Sequence, residues 1–176
     1  CAVFIHDGGC QVDEHCNVIM EPCPEANNIK TYFRGFTIGI NAINDIGYNS
    51  TLTVKNSVFL NNMIGIRTLN AVNTKVLFSE FFVGYESDCG VGIYLEKTPD
   101  FCIEENSFMK SLYVSQNINC FGIVADNTNS SNDIYRNSFS NLDCANYAKG
   151  FNRNSLDEGL TYSCNDNCTN NIDFYV

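Results

Sequence analysis

Tryptophan is absent from this 176-residue chain, histidine occurs twice and proline three times. Two histidines are scant material for an imidazole ligand set, and three prolines leave long stretches free to pair as strands. Positive charge is also short, with 10 Lys and Arg against 20 Asp and Glu. The resulting net charge of −10 repels phosphate backbones and argues against nucleic acid as a partner. No run of about 18 apolar residues occurs, so no membrane-inserted helix is expected. Charged residues make up 17% of the chain, below the usual quarter, and polarity is carried instead by 26 asparagines. The length suits one domain with a buried core.

Asparagine clusters punctuate the chain at Asn61-Asn62, Asp126-Asn127, Asn129–Asn132 and Asn165–Asn167. Asparagine tolerates the left-handed backbone region and bonds its own main chain, so it turns a strand without glycine. Between the turns a two-part motif recurs. Gly39-Ile40, Gly65-Ile66, Gly92-Ile93, Gly122-Ile123 and Gly150-Phe151 are read as five copies of one element, spaced 26 to 30 residues apart. Alternating with them are Val54/Ser57/Phe59, Val76/Ser79/Phe81, Ile103/Asn106/Phe108 and Ile134/Asn137/Phe139. Ile93 and Leu95 fall on one face and Tyr94 and Glu96 on the other, the period of a strand.

A unit of this length with short strands and sharp turns suits one coil of a parallel β-helix. The expectation is an all-β, right-handed solenoid of five to six coils with like residues stacked into ladders, the hand following the usual crossover preference. An antiparallel sandwich has no reason to repeat a two-part motif, and a leucine-rich repeat would show its leucines. Residues 31–176 are assigned to the solenoid; residues 1–30 are a Cys-rich cap or a continuation of preceding coils. The residue after each Gly-Ile pair should face outward, giving a column Asn41/Arg67/Tyr94/Val124/Asn152.

Ten cysteines, an even number without paired C-x-x-C spacing, read as disulfides in an oxidising, extracellular setting. Local loop closure suggests Cys120 with Cys144, Cys164 with Cys168, and Cys89 with Cys102. Cys1, Cys10, Cys16 and Cys23 would pair among themselves, although with His6, His15, Asp7, Asp13 and Glu14 they could also hold a metal. The chain is read as mature protein, a fragment of something longer.

The segments GIYLEKTPDFCIEENSF, GIVADNTNSSNDIYRNSF and GLTYSCNDNCTNNIDFYV resemble the parallel β-helix repeats of large secreted Bacteroidota surface proteins. The I-x-x-N-x-F element alone is shared more widely with pectate-lyase-like β-helices. The resemblance implies secretion to the cell surface by the type IX system, with an outer-membrane translocon and neighbouring surface proteins as partners.

Catalysis in such a fold would mean a polysaccharide lyase or hydrolase. A lyase needs a basic residue beside the uronate, for which Lys55, Arg67, Lys97, Arg136 and Arg153 are candidates, and calcium held by carboxylates such as Asp100, Glu104 and Glu105. These groups form no evident array, and no opposed carboxylate pair marks a hydrolase. No catalytic residue and no cofactor is therefore assigned, calcium remaining the one ion the carboxylates could take. Tyr94, Tyr113 and Tyr135 could stack on sugars in a glycan groove. Asn49, Asn129 and Asn167 stand in glycosylation triplets. The reading is a non-catalytic secreted stalk, adhesin or scaffold; the alternative is a polysaccharide-active or carbohydrate-binding β-helix.

Overall fold

The computed structural model describes residues 11–12, 18–19, 30–44, 51–85, 88–114 and 119–176. Three sheets wind about one axis. Sheet I stacks Thr31–Arg34, Ser57–Asn62, Glu80–Val83, Ser107–Lys110, Ser138–Ser140 and Asp166–Cys168. Sheet II stacks Ile38–Ile43, Ile64–Leu69, Gly90–Glu96, Cys120–Asp126, Cys144–Lys149 and Ile172–Tyr175. Sheet III stacks Leu52–Lys55, Lys75–Leu77, Cys102–Glu104, Asn132–Tyr135 and Leu160–Ser163. The chain visits them in the order I, II, III, making about five turns of a parallel β-solenoid. At the first edge of sheet III, Val18–Ile19 pairs parallel with Leu52–Thr53, and Gln11–Val12 pairs antiparallel with it.

Stacking strands at the usual inter-strand spacing places like residues one above another. Phe33, Phe59, Phe81, Phe108 and Phe139 form a column whose ring centroids lie 4.8, 4.7, 4.6 and 4.9 Å apart, with planes within 8°. Each such contact adds about 0.5–1.5 kcal/mol beyond the area it buries. Val54, Val76, Ile103, Ile134 and Tyr162 stack on sheet III, and Ile40, Ile66, Ile93 and Ile123 on sheet II. The four outer phenylalanines of the ladder from Phe59 on are each 1% exposed, so the core is a continuous apolar rod.

The glycines of the Gly-Ile pairs are dictated by that rod. A Cβ on Gly92 would sit 2.8 Å from the Phe108 ring of the next coil and 2.6 Å from the Gly122 carbonyl oxygen. Gly122 meets Phe139 at 2.9 Å in the same way, and Gly65 meets Phe81 at 3.0 Å. The following coil carries Asn167 where a phenylalanine would stand, opposite Phe139, and there the glycine becomes Ala145.

That exchange corrects the fifth copy of the repeat. Phe121 pairs with Cys144, Ile123 with Asn146 and Val124 with Tyr147, so the fifth copy is Ala145-Asn146-Tyr147. Gly150-Phe151-Asn152 instead leaves sheet II, Gly150 turning at φ 71° and Phe151 lying exposed. The outward column runs Asn41/Arg67/Tyr94/Val124/Tyr147/Tyr175, with Asn152 outside it.

Two residues before the phenylalanine column, at the corner from sheet III to sheet I, a polar ladder links the coils. Ser57 N–H donates to Ser79 Oγ at 3.1 Å and Ser79 N–H to Asn106 Oδ1 at 2.9 Å. Asn106 N–H donates to Asn137 Oδ1 at 2.9 Å, and Asn137 N–H to Asn165 Oδ1 at 2.8 Å. The Nδ2 groups of Asn106, Asn137 and Asn165 reach the preceding coil at the Val76, Ile103 and Ile134 carbonyls. The buried bend is thus satisfied rung by rung. Contrary to the simple expectation for asparagine, the left-handed residue lies one position earlier, at Asn56, Phe78, Glu105, Arg136 and Cys164.

Asn146 is the exception inside the rod. It occupies the isoleucine column, 1% exposed, and neither of its amide atoms makes a hydrogen bond of ordinary geometry, the Tyr162 hydroxyl approaching it only loosely. A buried unmatched amide costs about 1–3 kcal/mol. Asn146→Val should therefore raise stability in urea unfolding by about 1–2 kcal/mol; a variant less stable than the parent would show that the amide is satisfied in solution.

Candidate functional site

The outer face of sheet II gathers the best-organised set of polar groups among the described residues. Strand alternation turns Arg67, Tyr94, Glu96, Asp126, Tyr147 and Lys149 away from the core, and parallel register lines them up along the axis. Arg67 Nη2 meets Glu96 Oε2 at 3.2 Å. Asp126 is the centre of the set: its Oδ2 accepts the Tyr94 hydroxyl at 2.7 Å and the Lys149 ammonium at 2.8 Å. Its Oδ1 accepts Asn127 Nδ2 at 2.6 Å. Three successive coils are tied through this carboxylate.

Its electrostatics favour fixed charge. Burial works to raise the Asp126 carboxyl, but hydrogen bonds from Lys149 and Tyr94 outweigh it and hold the group below its ordinary value. The Asp126 hydrogen bond pushes Lys149 up to about 12. Burial, then the Asp126 contact, raises the Tyr94 hydroxyl. General acid–base catalysis needs a group titrating near the working pH. Here the carboxylate stays ionised, the ammonium stays protonated and the phenol stays neutral. The cluster therefore works as a latch between coils and a polar surface, with each group locked in one protonation state.

The basic residues singled out in the sequence are not brought together. Arg67 lies on sheet II, while Lys55 is on sheet III and Lys97 in a left-handed turn. Arg136 pairs with Glu105 at 3.6 Å and covers the Tyr135 ring, and Arg153 pairs with Asp157 at 3.4 Å beside Phe151. Asp100 accepts the Ser130 hydroxyl. No group of three or more His, Cys, Asp or Glu that could hold a metal occurs among the described residues. His6 and His15 lie outside them, as do Cys1, Cys10, Cys16 and Cys23.

Of the three tyrosines, only Tyr94 joins the outward column of sheet II. Tyr113 sits in an exposed turn and Tyr135 on sheet III. The aromatic strip that does form was missed in the sequence: Phe121 lies 6.2 Å from Tyr147, and Tyr147 meets Tyr175 edge-on at 5.1 Å. Recognising Tyr147 required the fifth copy to be aligned on Ala145, which offers no glycine to mark it.

The six cysteines on described residues are free thiols. Cys102 faces outward on sheet III, 3.9 Å from Glu104 Oε2, whereas Cys89 precedes the sheet II strand of the same coil. Cys144 turns its sulfur to the Asn146 carbonyl at 3.3 Å, and Cys164 and Cys168 are exposed on the last coils.

The latch makes acid stability depend on Asp126. A carboxyl held below its unfolded value stabilises the fold above that value, about pH 4, and this contribution is lost as pH falls through the folded value. The melting temperature of the parent should exceed that of Asp126→Asn between about pH 5 and 7, with the gap closing towards pH 2. A gap that persists unchanged in acid would contradict the latch.

No family model matches the chain, and no curated protein or solved structure matches it.

Proposed function

We propose that the chain is a non-catalytic module of a secreted or cell-surface protein, serving as a stalk, adhesin or scaffold. The observation that carries the reading is the axial ladder itself. A solenoid contacts only its neighbouring coils, so coils can be added without a new core, which suits spacers and extended binding faces. Along the sides, Arg67, Lys149, Arg136 and Arg153 are each paired with a carboxylate, leaving an acidic, mixed surface suited to water.

The resemblance to Bacteroidota surface repeats adds the route: export by the type IX system through an outer-membrane translocon, with neighbouring surface proteins as partners. Half-buried Tyr147 and exposed Tyr175 on the outer face of sheet II offer glycans a stacking face.

Membrane-impermeant biotin applied to intact source cells should label this segment. Labelling only after lysis would overturn the surface assignment. The purified chain incubated with pectin or alginate, with and without calcium, should release no unsaturated uronate. Release that disappears in Arg67→Ala would make it a lyase instead.

A further inference from the structure

We propose that Cys89 and Cys120 are a disulfide pair that staples the third coil to the fourth at the neck of a loop. The register brings them together. Gly90 lies opposite Cys120 in the parallel ladder, and its N–H donates to the Asn119 carbonyl at 3.3 Å. Cys89, one residue earlier, is therefore the diagonal neighbour of Cys120. An inter-strand spacing of about 4.8 Å with a rise of about 3.3 Å sets their Cα atoms about 6 Å apart, within the range that disulfides span. Strand alternation turns Cys89 to the face opposite Cys120, so the bond requires the loop end at Cys89, which lies outside the strand, to rotate inward.

The path between the two sulfurs is cleared by glycine. The chain leaves sheet I at Val83-Gly84 and returns at Cys89-Gly90, with Tyr85 and Asp88 bridged antiparallel between. Gly84 and Gly90 touch so closely that a Cβ on Gly90 would lie 2.3 Å from Gly84 Cα. The Cys120 sulfur rests on this neck, 3.6 Å from the Val83 carbonyl oxygen and 3.2 Å from where a Cβ on Gly84 would stand. Cys89 is exposed, and closure of the bond would carry it past Gly90, which has no side chain. Asp143 borders both thiols: its carboxylate accepts the Cys120 N–H at 2.8 Å, and its charge acts with burial to raise the Cys89 thiol. Burial pushes the Cys120 thiol up to about 11, against the pull of Lys110.

The rival partner is Cys144, which lies opposite Phe121 and so is diagonal to Cys120 from the other side. Its sulfur is engaged by a carbonyl of its own strand. Cys102 belongs to another sheet.

Exposure sets the order of steps, with an external disulfide such as oxidised glutathione as oxidant. The exposed Cys89 thiolate attacks it, forming a mixed disulfide and releasing one glutathione thiolate. The Cys120 thiolate then displaces the second glutathione. Two protein thiols have lost two electrons and two protons, and the external disulfide has become two thiols. This pairing does not depend on the function proposed above.

Trypsin places the two cysteines in peptides 76–97 and 111–136, neither of which contains another cysteine. The folded, reduced protein treated with oxidised glutathione and mapped without reductant should yield these two peptides joined. Its melting temperature should rise by about 5–10 °C. Cys89→Ser should abolish both the joined peptide and the rise. Cys120 joined to any other cysteine would overturn the proposal, as would Cys89 remaining a glutathione adduct with Cys120 free to alkylation after denaturation.

Discussion

The contact between a phenylalanine ring and the glycine of the preceding coil governs this fold. Rings stacked 4.6–4.9 Å apart take the full inter-strand repeat, leaving no room for a Cβ where sheet II passes over them. A glycine is therefore required in each coil whose successor carries a phenylalanine, and the four glycines stand 26 to 30 residues apart, the next step, to Ala145, being 23. Asn167 ends the series, and Ala145 appears one coil below it, where the constraint lapses.

The second corner solves a different problem. There the chain turns from sheet III to sheet I through a left-handed residue, and the buried amides of the bend need partners. Serine bridges the early coils and asparagine the later ones, each side chain accepting an N–H from the coil below. Apolar stacking sets the spacing of the coils, and these amides fix their register. Because the ladder side chain supplies the hydrogen bonds, the left-handed position before it accepts Phe78, Glu105, Arg136 and Cys164 as well as Asn56.

The architecture was legible in the sequence because both corners are written in residue types that recur: Gly-Ile beneath the rings, and Asn or Ser before Phe. The fifth copy was misread for the reason the fourth was readable. With no ring above it, Ala145 carries no glycine signal, while Gly150 supplies a false one five residues on. That slip hid Tyr147 and with it the aromatic strip. The Asp126 latch was hidden because Tyr94 and Lys149 lie 32 and 23 residues from it, and only register joins them.

A structure assembled from like-on-like contacts offers surface more readily than a cleft. Arg67, Lys149, Arg136 and Arg153 along its sides are each paired with a carboxylate, and coils can be added without a new core, which joins the architecture to the proposed role. The central claim is the coupling of ring and glycine, and a double-mutant cycle on Gly122→Ala and Phe139→Ala in urea unfolding tests it most directly. The double variant should cost less than the sum of the single ones by at least about 1 kcal/mol, because removing the ring relieves the clash of the new Cβ with Phe139, leaving only that with the Ala145 carbonyl oxygen. Costs that add within about 0.5 kcal/mol would mean that the glycine column has another cause.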